Sequence, residues 1–156
     1  MLETNSIPEG WKIPDWFLAY RSQILNALAS KDIIDEYTIY HDCSKPYCIE
    51  YVDGKKHFPN HAELSYKTWL EAGGGQEAAN LMRMDMKIHQ IKDVEIDEFI
   101  LNPQAITLLI AGLAEIHSNS SMFGGINSTS FKIKWNQINK RGKKICQKLF
   151  GGIHAS

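Results

Sequence analysis

Apolar residues that recur every three or four positions constrain this chain more than any other feature. Side chains with that spacing lie on one face of an α-helix, and glycines and prolines separate one run from the next. The runs predict helices from Trp16 to about Ser30, from Asp32 to the pair His41-Asp42, from Pro59 to Gly73, from about Gln76 to Lys92 and from Ala105 to Ile116. The sequence therefore predicts a mostly α-helical fold, with the apolar helix that begins at Ala105 in its core.

Two segments lack the helical spacing. Residues 47–52 are rich in strand-forming side chains and precede Asp53-Gly54, a strong turn signal, so we expect a short hairpin or an extended loop there. Residues 117–130 are polar and contain two adjacent glycines, which predicts a long loop. The segment 131–135 alternates like a strand but also fits helical spacing, and periodicity leaves both possibilities open.

The size and composition of the chain predict an ordinary single domain. Its 156 residues suit one domain spanning 1–156, and the formal net charge of −1 provides no overall attraction to nucleic acid or to an anionic membrane. The sequence shows neither a signal peptide nor an apolar run long enough to span a membrane. We therefore expect a cytoplasmic protein with no membrane partner. The sequence does not indicate an oligomeric state.

The three cysteines form no recognisable framework. Cys43, Cys48 and Cys146 are odd in number and lack the spacing of a zinc ribbon or a disulfide scaffold. Reduced thiols are the simplest interpretation. Ligation of a soft metal by Cys43 and Cys48 is the alternative, but the neighbouring histidines and carboxylate favour a harder ion.

The segment from His41 to His61 carries the residues best suited to chemistry. The candidate metal ligands within it are three imidazoles and the carboxylate next to the first of them, on His41, His57, His61 and Asp42, and Lys45 follows Asp42 by three residues. Imidazole and carboxylate ligands together suit first-row divalent ions such as Mn²⁺, Fe²⁺, Co²⁺ or Ni²⁺, and carboxylates also bind Mg²⁺. The segment predicts a divalent metal site with hydrolytic chemistry.

The run His-Asp-Cys-Ser-Lys-Pro at residues 41–46, followed by Asp-Gly-Lys-Lys-His-Phe-Pro-Asn-His at 53–61, resembles the HD-domain metal-dependent phosphohydrolases. It is especially similar to the HD domain of some tRNA nucleotidyltransferases, where a His-Asp-x-x-Lys-Pro segment precedes a His-Phe-x-x-His segment. The resemblance covers about residues 15–92. It implies a helical bundle of the HD type.

The family signature also contains an upstream histidine and a downstream aspartate on a later helix. Asp85 is our candidate for the aspartate, because a carboxylate between Met84 and Met86 is costly to bury unless it is paired or binds a metal. The upstream histidine is missing, since His41 is the first histidine of the chain. Another ligand such as Asp15, or a water molecule, would take its place.

The resemblance implies hydrolysis of a nucleotide or a related phosphoester. The ion would be held by His41, Asp42, His61 and Asp85, with His57 available to a second ion. Asp42 would accept a proton from water, and Lys45 would stabilise charge on the phosphoryl oxygens. Two alternatives remain: cleavage of RNA ends or cyclic phosphodiesters, and a non-catalytic nucleotide-binding or RNA-binding module with a degenerate HD site.

Substrate contacts are predicted at two further places. His89 lies four residues after Asp85 in the same predicted helix and therefore shares its face. The C-terminal segment 131–150 contains seven basic residues and no acidic one: Lys132, Lys134, Lys140, Arg141, Lys143, Lys144 and Lys148. We assign Lys132, Lys134 and Arg141 to capture of a phosphate or of RNA, with a solvated terminal helix as the alternative.

Overall fold

The structure, a computed structural model, describes residues 9–152. Its helices are α1 Asp15–Ala19, α2 Arg21–Ala27, α3 Lys31–Tyr40, α4 His61–Glu71, α5 Gln76–Met84, α6 Lys87–Gln90, α7 Ile96–Phe99, α8 Ala105–Ser118 and α9 Thr129–Phe150. The strands are β1 Glu50–Val52 and β2 Lys55–His57. Short 3₁₀ helices occupy Lys45–Tyr47, Asp93–Glu95 and Ser120–Phe123. Pro8 and Gly10 predict an irregular lead-in over residues 1–13, and the terminal position of residues 151–156 predicts a frayed tail; both segments lie partly outside the described range.

The mostly α-helical fold with one small hairpin is confirmed. The described part of the chain has no helix with the length and apolarity to cross a membrane. Its residues divide into two compact units, one formed by 29–88 and the other by the segments before and after it. The expectation of a single domain stays a prediction.

The unit of residues 29–88 contains α3, the hairpin, α4 and α5. Helix α5 packs against both α3 and α4, because its small and apolar side chains Ala78, Ala79, Leu81 and Met82 are all fully buried. Strands β1 and β2 pair antiparallel, with Glu50 opposite His57. The turn between them places Asp53 and Gly54 at positive φ, as the sequence predicts for an Asp-Gly turn.

The other unit is centred on α8, whose expected place in the core is confirmed by ten buried residues. Helix α9 packs beside α8 and also reaches α1. Trp16 of α1 donates its indole N–H to Asn139 Oδ1 at 3.0 Å. A Cβ atom on Gly142 would lie 2.4 Å from the Trp16 ring, so only glycine permits this approach.

Two helices that the sequence predicts to be continuous are each divided in two in the structure, so these predictions are wrong. The helix predicted from Trp16 to Ser30 is interrupted at Tyr20, whose φ of −112° and ψ of 22° are not helical. The helix predicted from Gln76 to Lys92 ends at Met84 and resumes at Lys87. Asp85 and His89 therefore do not share one helix face, because the chain turns between them.

The long loop predicted for residues 117–130 is also wrong in its extent. Helix α8 continues to Ser118, and a 3₁₀ helix occupies Ser120–Phe123. Ser128 then caps α9 by accepting the Phe131 N–H at 3.1 Å. The segment 131–135, which periodicity left open, is helical.

His117 is a buried histidine with both ring nitrogens engaged. Its Nδ1–H donates to the Leu113 carbonyl at 2.8 Å, and its Nε2 accepts the Lys12 backbone N–H at 3.0 Å. The ring stacks on Trp11 and meets Phe131 edge to face. Burial lowers the pKa of His117, because the imidazolium would lose its hydration.

This lowered pKa predicts a loss of stability in mild acid. The unfolded chain takes up a proton at His117 as the pH falls through about 6.5, whereas the folded chain does not. The contribution of His117 to the free energy of unfolding should therefore be fully present above about pH 6.5, approximately the pKa in the unfolded chain. At lower pH this contribution should decrease, by at most about 1.4 kcal/mol per pH unit. Urea denaturation of the wild type and of His117→Gln at pH 7.5 and 5.5 measures it. An equal pH dependence in both proteins would contradict the assignment.

Candidate functional site

The pair His41-Asp42 lies on a tight turn that directly follows α3. The backbone N–H of His41 still donates to the Tyr37 carbonyl at 2.8 Å, whereas Cys43 and Lys45 donate three residues back, to Tyr40 and Asp42. These shorter turns lead into the 3₁₀ helix Lys45–Tyr47. The turn thus presents the two side chains at the end of a packed helix rather than on a free loop.

Two buried serines join this turn to the start of α4. Ser44 donates its hydroxyl to the His61 carbonyl at 2.8 Å and lies 2.9 Å from the Ser65 hydroxyl. The Ser44 backbone N–H also reaches Ser65 Oγ, at 3.4 Å. Both serines are almost fully buried, so these hydrogen bonds fix where His61 stands relative to His41-Asp42.

His41 and His61 are held in the same way by backbone carbonyls. His41 Nδ1 lies 3.0 Å from the Thr38 carbonyl oxygen, and His61 Nδ1 lies 3.0 Å from that of Phe58. A carbonyl can only accept, so Nδ1 carries the proton and Nε2 of the neutral ring keeps its lone pair. Metal-binding histidines are commonly oriented by such a bond from the other ring nitrogen.

Both free Nε2 atoms face the carboxylate of Asp42. His41 Nε2 lies 3.4 Å from Oδ2, and His61 Nε2 lies 4.0 Å from Oδ1. Asp42 Oδ1 is buried and has no hydrogen-bond partner within residues 9–152. A buried carboxylate oxygen without a donor is costly, so this atom is suited to bind a cation or accept a proton.

Taken one pair at a time, the distances between the histidine nitrogens and the Asp42 oxygens are compatible with a shared divalent ion. Two ligand atoms that each lie about 2.0–2.2 Å from one ion cannot be more than about 4.4 Å apart. Both histidine to carboxylate separations are below that limit. However, residues 9–152 contain no group of three or more His, Cys, Asp or Glu side chains already arranged as a metal site. Binding of an ion would therefore require His41, Asp42 and His61 to converge by small side-chain rotations.

Lys45 provides a positive charge beside the same carboxylate. Its Nζ lies 2.6 Å from Asp42 Oδ2 and 5.5 Å from the centre of the Phe58 ring. The side chain is about one third exposed, so the ammonium group is held by Asp42 and Phe58 while solvent still reaches it. An anionic group bound at Asp42 would meet this cation.

The other predicted ligands are not brought into this cluster. His57 lies on β2 with its side chain exposed. Asp85 is buried and accepts a hydrogen bond from the Tyr37 hydroxyl, and the Tyr37 ring in turn lies 5.7 Å from the His41 ring. Asp15, the possible substitute for the missing histidine, is exposed in the first turn of α1. Their roles as ligands stay predictions.

His89 and Arg141, predicted to bind substrate, are engaged elsewhere. His89 Nε2 lies 2.9 Å from Glu115 Oε2. The Arg141 Nε–H donates to the Ile91 carbonyl at 3.0 Å, and burial lowers the pKa of this guanidinium. Arg141 therefore anchors α9 to residue 91, a structural role that the count of basic residues did not indicate.

The basic segment of α9 is partly neutralised by acidic residues from an earlier part of the chain. Lys144 and Lys140 lie 2.6 Å and 3.1 Å from Asp93 Oδ2, and their hydrogen bonds lower the pKa of Asp93. Lys148 pairs with Asp97 at 2.7 Å. In α9, the exposed lysines without an acidic partner in the described chain are Lys132, Lys134 and Lys143, of which Lys134 lies over the Phe123 ring.

The cysteines show no arrangement for metal binding. Cys43 and Cys48 point their sulfurs at the carbonyls of Ser65 and Lys45, at 3.9 Å and 3.8 Å. Cys146 is buried, and burial raises the pKa of its thiol to about 12, so it stays protonated. All three are free cysteines, as the sequence predicts.

Sequence reasoning did not identify Ser44 and Ser65 as supports of the site, nor the hydrogen bond from Tyr37 to Asp85. A signal for Ser65 exists in its spacing: it lies four residues after His61 and so one turn further along the same face of α4. Ser44 occupies one of the two unspecified positions of the His-Asp-x-x-Lys-Pro segment, so the motif assigns it no role. Nothing in the sequence links Tyr37 to Asp85, because 48 residues separate them.

Neither models of known protein families, nor curated protein sequences, nor solved structures provide a match to this chain. The likeness to the HD-domain phosphohydrolases therefore rests on the motif residues alone.

The buried serine pair leads to a stability prediction. Ser65→Ala leaves the Ser44 N–H without its acceptor and the Ser44 hydroxyl with one partner fewer, which should lower the free energy of unfolding by about 1–3 kcal/mol. Urea denaturation at pH 7.5 measures the change. Ser22→Ala, at an exposed position of α2, is the matched control and should be within about 0.5 kcal/mol of wild type. Equal stability of the two variants would contradict the role of Ser65.

Proposed function

We propose that the protein is a metal-dependent phosphohydrolase that acts on a nucleotide or a related phosphoester. The observation that carries this proposal is the unpaired, buried Oδ1 of Asp42, which two histidines face with free Nε2 atoms. A purely structural ion pair between Asp42 and Lys45 would not need two imidazoles with their Nδ1 protons tied to the backbone. The motif resemblance points to the same chemistry.

Each residue of the cluster has a distinct role in this proposal. His41, Asp42 and His61 would hold the ion, and water or substrate would occupy its remaining positions. The chemistry that a divalent ion supplies in such a site is a lowered pKa of water and a polarised phosphoryl oxygen. A carboxylate oxygen of Asp42 that is not engaged with the ion accepts the proton of the attacking water, as the water oxygen bonds to phosphorus and the ester P–O bond breaks.

Lys45 supplies a positive charge that stabilises the reacting phosphoryl group. The phosphoryl group gains negative charge on its outer oxygens and on the leaving oxygen, and a preorganised ammonium stabilises that charge. The Phe58 ring restricts where Lys45 can move. Lys55 and Lys56 on the hairpin are exposed and have no acidic partner in the described chain, so they add positive charge along the same segment.

An RNA substrate is the second candidate. The observation in its favour concerns the lysines of α9. Lys132, Lys134 and Lys143 have no acidic partner in the described part of the chain, whereas Lys140, Lys144 and Lys148 each have one. Unpaired lysines along a helix suit contacts with a phosphate backbone. Turnover of mononucleotides against short oligonucleotides and 2′,3′-cyclic phosphates separates the two substrates. Binding of both classes without turnover would instead support the non-catalytic module.

The roles of Asp42 and Lys45 are separable by mutation. Asp42→Asn keeps the shape of the side chain but removes its charge, so it should lose bound metal and hydrolysis together. Lys45→Ala should keep the metal but lower kcat by about 10² to 10³, as expected when one electrostatic stabiliser is removed. Metal content after incubation with Mn²⁺, Fe²⁺, Co²⁺ or Ni²⁺, together with turnover on a panel of phosphoesters, measures both effects.

Asp32→Asn is the matched control for these variants. Asp32 is exposed in the first turn of α3, the same helix that leads to His41-Asp42, and its replacement should change neither metal content nor turnover. Full activity in Asp42→Asn would overturn the proposed mechanism. Loss of metal in Lys45→Ala would show that Lys45 supports the ion rather than the phosphoryl group.

A further inference from the structure

An open groove lies along the segments that carry the candidate site. It has a volume of about 640 Å³ and is lined by residues of the 3₁₀ helix, of β1 and of the first turns of α4: Tyr47, Cys48, Ile49, Glu50, Pro59, Asn60, Glu63, Leu64 and Lys67. This volume is in the range of sites for small molecules. None of its lining residues belongs to the cluster of His41, Asp42, Lys45 and His61.

The groove is continuous in the chain with that cluster at two points. Tyr47 is the second residue after Lys45, in the same 3₁₀ helix, and Asn60 directly precedes His61. Consecutive Cα atoms are about 3.8 Å apart, so the groove begins within one or two residues of the groups that would meet a phosphate. At these two points a ligand that contacts both the groove and the cluster would need to bridge only the distance between residues one or two positions apart.

Of the two carboxylates that line the groove, one is paired and the other is not. Glu63 is neutralised, because Arg83 lies 2.8 Å and Lys67 3.7 Å from its carboxylate. The Glu50 side chain has neither a hydrogen bond nor an ion pair to any residue in the described part of the chain. Glu50 thus offers an unpaired carboxylate, which can only accept hydrogen bonds when ionised.

The walls of the groove offer an aromatic face and apolar contacts. The Tyr47 side chain is 83% exposed, although its ring is large and apolar. Its ring stacks on no other aromatic ring among residues 9–152, in contrast to Tyr40, which stacks on Trp69 at 4.3 Å. Ile49 and Leu64 are also partly exposed along the groove. An unused aromatic face beside apolar side chains suits a flat heteroaromatic ring.

We propose that this groove binds the nucleobase of the substrate and that Glu50 makes it selective for guanine. The proposal rests on the proposed function and names the substrate class of the same site. Tyr47 stacks on the base, and the Glu50 carboxylate accepts two hydrogen bonds from neighbouring N–H donors on the base edge. Guanine presents such a pair at N1 and at its exocyclic amine, hypoxanthine presents only N1–H, and adenine presents an unprotonated N1.

The chemistry predicts an order of affinity among three purine nucleotides. GMP should bind most tightly, IMP less tightly because it lacks the second donor, and AMP least tightly because its N1 lone pair faces the carboxylate. Hydrogen bonds to a charged group are strong enough to make GMP bind about tenfold tighter than AMP. Sites that hydrogen-bond a ligand discriminate well against analogues that lack the donor.

Isothermal titration of the full chain with GMP, IMP and AMP in the presence of EDTA measures this order without turnover. Glu50→Gln should lower the affinity for GMP about tenfold and should not lower that for AMP, because the repulsion between the carboxylate and the adenine N1 lone pair is relieved; the preference for GMP is thereby removed. Tyr47→Ala should weaken the binding of all three nucleotides by about tenfold, because stacking is shared by every base. Glu71→Gln and Tyr51→Ala alter an exposed glutamate and an exposed tyrosine outside the groove and should bind as wild type does.

Equal affinity for the three nucleotides, or equal effects of Glu50→Gln and Glu71→Gln, would overturn the inference. Its failure is distinguishable from failure of the proposed function, because turnover of phosphoesters without purine selectivity would remove only the role of the groove. Conversely, selective binding of GMP without turnover on any phosphoester in the presence of Mn²⁺, Fe²⁺, Co²⁺ or Ni²⁺ would retain the groove and contradict the catalytic proposal.

Discussion

The hydrogen bonds of buried Ser44 are the interaction on which the candidate site depends. Through Ser65 and the His61 carbonyl they attach the turn after α3 to the first turns of α4. Helices α3 and α4 also meet through α5 and through the stacking of Tyr40 on Trp69, but the serine hydrogen bonds act directly between the turn that carries Asp42 and the start of α4. Because both serines are buried, breaking the connection costs unsatisfied polar groups, and the geometry of the site is thereby tied to the packing of the fold.

Charge organises the two units differently. Around Asp42, one carboxylate faces two imidazoles and a lysine, so Lys45 balances its charge, and a bound divalent ion would make the cluster positive and suited to an anionic substrate. Along α9, Asp93 and Asp97 neutralise Lys140, Lys144 and Lys148, three of the four lysines in its C-terminal half. The dense run of basic residues in the sequence is therefore a weaker nucleic-acid signal than its composition indicates, since surface pairs of this kind mainly balance charge.

Much of the fold could be predicted because local signals coincide with real boundaries. The breakers Asp53-Gly54 and Gly73 mark a turn and a helix end, and α8 is too apolar to lie anywhere but in a core. The interruption of the first predicted helix at Tyr20 is not marked by a glycine or a proline, and the helical spacing of apolar residues continues across it. For the site, the motif brought together His41, Asp42, Lys45 and His61. The contact of Asp85 with Tyr37 was unpredictable, because it depends on how α3 and α5 pack.

The central claim is that His41 and His61 present unprotonated Nε2 atoms to Asp42 for a shared ion. Two-dimensional ¹⁵N NMR of the histidine rings during a Zn²⁺ titration tests it most directly. The account predicts neutral rings with the proton on Nδ1 for both residues, and Zn²⁺-dependent shifts of both Nε2 signals. His117 is the internal control, because its Nε2 is occupied by the Lys12 N–H and should not respond. Protons on Nε2 of His41 and His61, or signals that Zn²⁺ leaves unchanged, would contradict the account.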